Sequence, residues 1–134
     1  MISPCLPTLV LFSGLAADED VFRWQKQAFP KLIVPEWPIP DVKDTLDTYC
    51  KRIAAQLSSD VRVCQDNLVV GGASFGGIIA FHVAKYLEPK AIILIGSVQT
   101  PFELPLRIRA LRPLKAFIFS AVANSTVSGN WPSL

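Results

Sequence analysis

The chain has 134 residues, of which 51% are hydrophobic and 18% charged. That is enough for one domain with its own core, and it excludes a disordered chain. A net charge of +2 is too small to argue for nucleic acid, and no apolar run reaches the roughly 20 residues that span a bilayer.

Thr8–Phe12 is the first predicted strand. The N-terminus has no Lys or Arg ahead of this run, so the reading is of a cytoplasmic chain without a signal peptide. Val21, Phe22, Trp24 and Phe29 suggest a short helix. Leu32–Val34 is a second strand, and Pro35, Pro38 and Pro40 stiffen the loop after it. Leu46, Tyr49, Cys50, Ile53, Ala54 and Leu57 form one apolar stripe at helical spacing, with Asp44 and Asp47 near the favoured N-terminal end. Leu68–Gly71 is a third strand. Ile78, Ile79, Val83, Tyr86 and Leu87 line the next helix, and Ala91–Gly96 is a fourth strand. The strand runs are continuous rather than alternating, as in a parallel sheet covered on both faces. The expectation is an α/β three-layer sandwich with a short, mostly parallel sheet of about four strands flanked by helices. Residues 1–100 form the core. Residues 101–134 form a lid-like helical segment and a frayed tail. That segment reads as an amphipathic helix with a basic face in preference to an acyl-binding lid.

Cys5, Cys50 and Cys64 do not make an even framework and read as reduced thiols. No metal or cofactor is expected.

The chemistry concentrates at Gly72-Ala73-Ser74-Phe75-Gly76, between a strand and a helix. A serine on so sharp a turn holds its hydroxyl clear of the sheet, and the positions two before and two after must be very small. Both are glycine. If the first and third strands are neighbours, the loops Ser13-Gly14-Leu15 and Ala73-Ser74-Phe75 face one crevice at the strands' carboxyl ends, where ligands bind in such sheets. Serine is a poor nucleophile near neutral pH and needs a base and oxyanion donors. The backbone N–H groups of Phe75 and Leu15 are the candidate donors.

Over roughly residues 8–100 the chain resembles the α/β-hydrolase superfamily: Leu9–Leu15 as strand and oxyanion loop, Val69–Gly77 as nucleophile elbow, Ala91–Ser97 as the following strand. The resemblance implies Ser74 as catalytic nucleophile and a small-molecule ester or thioester as substrate. The family often carries histidine where Ser13 stands. Its acid and histidine follow the serine in sequence. Here the one histidine, His82, lies eight residues beyond Ser74, about 12 Å along a helix, too far for a base that must reach about 3 Å. Glu103 follows the fourth strand. The chain thus reads as the N-terminal part of a hydrolase, weakly active or inactive alone, with an open sheet edge that favours self-association. The residues also allow two other readings. One is a non-catalytic scaffold. The other is a phosphate- or nucleotide-binding module on the glycine-rich turn, against which Ala73 replaces the second glycine of the dinucleotide fingerprint and Gly77 or Ile78 stands where the P-loop lysine belongs.

Overall fold

The computed structural model describes residues 6–15 and 17–97. The lid-like segment, its tail and Glu103 lie outside the described residues.

Three strands form a parallel sheet in the order β1-β2-β3: β1 (Thr8–Phe12), β2 (Leu68–Ala73) and β3 (Ala91–Ile95). β1 and β2 pair in register from Thr8 opposite Leu68 to Phe12 opposite Gly72. The expected strand at Leu32–Val34 contracts to a single parallel bridge, Val10 to Ile33, on the outer side of β1. Leu11 N–H donates to Ile33 C=O and Ile33 N–H to Leu9 C=O, both at 2.9 Å. Pro30 and Pro35 bracket this run, and a proline carries no N–H for the ladder.

Alternation along β1 assigns the two faces. Val10 and Phe12, with Leu68 and Val70 of β2, point to a core shared with α2 (Leu46–Ser59) and α3 (Phe75–Leu87). Leu11 points the other way and packs with Phe22 and Leu32, with Leu9 and Ala73 against them. Phe22 closes a 3-10 turn, Glu19–Phe22, that runs into α1 (Arg23–Ala28). Asp18 caps that turn through the Asp20 N–H. Of the apolar residues that suggested this helix, only Phe22 is buried. Val21, Trp24 and Phe29 are exposed.

α2 buries the predicted stripe of Tyr49, Cys50, Ile53, Ala54 and Leu57. Its start is fixed by a capping box, in which Thr45 and Thr48 each bond the other's backbone N–H, satisfying two donors that a helix end leaves open. Burial raises the Cys50 thiol to about 12, with Asp47 adding to the effect and Lys85 opposing it. Cys50 is therefore an inert apolar filler.

Two expectations change here. Cys64 is disulfide-bonded, whereas Cys50 is free, so the reading of three reduced thiols is corrected. Cys64 N–H donates to Thr8 Oγ1 at 2.9 Å across 56 positions of sequence. This brings the beginning of β1 beside residue 64, a proximity no local pattern encodes. Second, the described residues do not cover both faces of β3: Ile92, Ile93 and Ile95 are each about 40% exposed. No helix among the described residues is long and apolar enough to cross a membrane.

Candidate functional site around Ser74

β2 ends at Ala73 and α3 begins at Phe75, leaving Ser74 alone to turn the chain. Its backbone sits at φ 52°, ψ −121°, a region that side chains other than glycine rarely occupy and that costs of order 1–3 kcal/mol. The surroundings hold it there. Ser74 N–H donates to Ile95 C=O at 2.9 Å, extending the β2–β3 ladder by one bond, and Gly77 N–H donates to Ser74 C=O at 3.1 Å. The residue is exposed, and its side chain makes no capping bond to α3. The hydroxyl is thus not engaged by the helix it precedes.

The flanking glycines explain how the turn closes. A Cβ on Gly72 would overlap the carbonyl of Gly76 and lie 2.7 Å from Gly77 N. A Cβ on Gly76 would overlap the carbonyl oxygens of Ser13 and Phe12. These neighbours are main chain and cannot swing aside. Gly76 therefore lets α3 press against the loop that leaves β1, and Gly72 lets the helix fold back over its own strand.

That contact brings the two loops together. A Cβ built on Gly14 would stand 3.7 Å from Ser74 Cβ and 3.6 Å from Ala73 C=O, ordinary van der Waals separation. The loop after β1 therefore lies directly against the serine, with Leu15 at a turn one residue further on. A glycine at position 14 is not needed for this approach, because a methyl fits there. Phe75 is the first residue of α3, where the N–H groups have no partner within the helix and the dipole end is positive.

Trp37, from the Pro-rich loop, covers one side. Its ring centroid is 6.0 Å from that of Phe75 and 5.9 Å from that of Phe12, and its Nε1–H donates to Ser13 Oγ at 3.1 Å. Its place after the predicted second strand is enough to put Trp37 in the pocket lining, but nothing local in the sequence marks the bond to Ser13. Glu36, beside it in sequence, is exposed, and Val98 and Gln99 after the last strand lie outside the described residues.

His82 stands on α3, two turns away from Ser74. Its Nδ1 is 3.4 Å from Lys85 Nζ, and its ring meets Phe81 edge-on. Partial burial and then the Lys85 charge lower its pKa, with Asp47 opposing. Among the described residues no group of three or more His, Cys, Asp or Glu side chains is arranged to hold a metal ion.

No family model matches the sequence, and no curated protein matches it. Solved structures do. RedJ, the thioesterase from the prodiginine biosynthetic pathway in Streptomyces coelicolor, aligns at TM-score 0.54 and 18% identity over 92% of this chain and 61% of its own. YbtT, a type II thioesterase from the yersiniabactin pathway, aligns at 0.52 and 17% over 87% of this chain and 61% of its own. The NocB thioesterase domain, solved as a covalent complex with a fluorophosphonate nocardicin G analogue, aligns at 0.58 and 17% over 90% of this chain and 60% of its own. This is the α/β-hydrolase fold. The chain spans about three fifths of the length of these α/β-hydrolase thioesterases. At such identities the likeness speaks for the fold alone.

Proposed function

We propose that the chain carries the nucleophile half of a serine hydrolase acting on a small-molecule ester or thioester, with Ser74 as nucleophile and the Leu15 and Phe75 N–H groups as oxyanion donors. The observation that carries the reading is the isolated Ser74 bend, exposed and uncapped at the mouth of α3, with the β1 loop packed against it. The thioesterase character of RedJ, YbtT and NocB favours a thioester among the acyl substrates. In the reaction Ser74 Oγ bonds the acyl carbon and the carbonyl electrons move to oxygen, where the two amides stabilise them. Collapse expels the thiolate or alkoxide, and water then cleaves the acyl-serine.

The serine proton needs a base. The sequence holds one histidine, on the wrong part of α3. Losing that member of a triad costs about a millionfold in turnover, roughly 8 kcal/mol. The chain alone is therefore expected to turn over substrate barely above background while still reacting slowly with a phosphonate. Incubation with a fluorophosphonate followed by intact-mass analysis checks this. One adduct is expected, mapped to Ser74 and absent in Ser74→Ala. Equal labelling of Ser74→Ala would refute the assignment.

The partner surface is part of the same proposal. Among the described residues β3 has no strand on its far side, and its isoleucines are exposed. An open apolar edge pairs with other chains. Size-exclusion chromatography is expected to show a species larger than the 14.7 kDa monomer, whereas a sharp monomer peak would count against self-association.

A further inference from the structure

We propose that Trp37 is a positioning residue that sets the spacing between the two oxyanion amides, an inference that rests on the hydrolase reading above and deepens it. Ser13 is a polar residue only 3% exposed, and its hydroxyl accepts the Trp37 Nε1–H at 3.1 Å. It immediately precedes Gly14-Leu15, the stretch that packs on Ser74. The same indole packs on Phe75, whose N–H is the second donor, and on Phe12, the last residue of β1. One rigid ring thus touches both chain segments that present the amides, and it is bonded to one of them.

The ring is itself anchored. Tyr49 Oη donates to Pro38 C=O at 2.7 Å, and Arg52 Nη1 donates to Ile39 C=O at 3.2 Å. Arg52 is further held by an ion pair with Asp44. Both anchoring side chains stand on α2, whose buried stripe ties it to the core. The loop carrying Trp37 is consequently fixed to the scaffold at two adjacent carbonyls, and Pro35, Pro38 and Pro40 restrict the backbone on either side of them. Burial leaves the Ser13 hydroxyl dependent on this partner, because an unpaired buried polar group is costly. A buried hydroxyl that needs a partner and an indole N–H fixed in reach give the β1 loop one preferred position. Placement matters because oxyanion donors act only when aimed at the charge that develops, and a displacement of about 1 Å costs up to about 100-fold.

The test follows Ser74 phosphonylation by intact mass over a range of fluorophosphonate concentrations, together with amide hydrogen exchange. Trp37→Phe keeps the ring packing and loses the N–H. Its maximal labelling rate is expected to fall about tenfold with the half-saturating concentration unchanged. Exchange across residues 13–15 is expected to rise while that of α3 stays as in the parent chain. Ser13→Ala removes only the acceptor, covers the case of a Trp37 variant that does not fold, and should give the same result. The double variant should be no slower than either single one. An unchanged maximal rate, a rise in half-saturation alone, or multiplicative losses in the double variant would each overturn the tether. If Ser74→Ala labels like the parent chain, the nucleophile reading is what fails. The tether is then still judged by exchange at 13–15, and no change there overturns it.

Discussion

Gly76→Ala is expected to abolish folding of the chain. The added methyl would overlap two carbonyl oxygens, those of Phe12 and Ser13. Both belong to the end of β1 and the loop leaving it, and Phe12 is 1% exposed within the core. Relief requires α3 to lift from β1, which would open the core between Val10, Phe12, Ile79 and Val83. Overpacking a tight core costs about 1–3 kcal/mol when side chains can adjust. Here the obstacles are backbone, so the cost exceeds that range and takes up most of a small domain's stability of about 5–15 kcal/mol. Circular dichroism and chemical denaturation check the outcome. Gly14→Ala is the control, since its methyl meets nothing closer than 3.6 Å, and its denaturation midpoint should stay near that of the parent.

Ser74→Gly is expected to raise stability while abolishing phosphonate labelling. Serine at φ 52°, ψ −121° is held in a strained backbone region. Glycine enters positive φ at little cost, so the substitution releases part of the 1–3 kcal/mol such a conformation stores, offset in part by the greater freedom of glycine in the unfolded chain. A net gain of about 1 kcal/mol would shift the thermal midpoint upward by about 3–6 °C for a domain of this size. Ser74→Ala removes the hydroxyl but keeps the strain, so its midpoint should stay near that of the parent. A loss of stability in Ser74→Gly would show that the bend is not strained and would weaken the case that it is maintained for chemistry.

The parts of the architecture legible in sequence are those written in local pattern. The stripe from Leu46 to Leu57 has helical spacing, and the structure buries all of it but Leu46, which is half-buried against the core. The run Leu68–Gly71, the glycine pair around Ser74 and the apolar residues after it placed a strand, a sharp turn and a helix, and β2, the Ser74 bend and α3 occupy those positions.

The rest depends on contacts distant in sequence. Three apolar residues between Pro30 and Pro35 look like a strand locally, but the prolines leave room for one bridge only. β3 reads as a buried strand because isoleucines dominate it, yet burial is decided by what packs on it, and all three isoleucines are exposed. The Trp37–Ser13 bond joins residues 24 apart in sequence. The tie between residue 64 and β1 spans still more chain. Tryptophan and serine carry no mark of such partners, and only the packing of the Pro-rich loop over the ends of β1 and α3 brings them together.

The most direct measurement is a crystal structure of the chain after phosphonylation. Phosphorus is expected to be bonded to Ser74 Oγ, with its unesterified oxygen within hydrogen-bonding distance of both Leu15 N and Phe75 N. An adduct on another residue, or one on Ser74 whose oxygen faces solvent away from these amides, would contradict it.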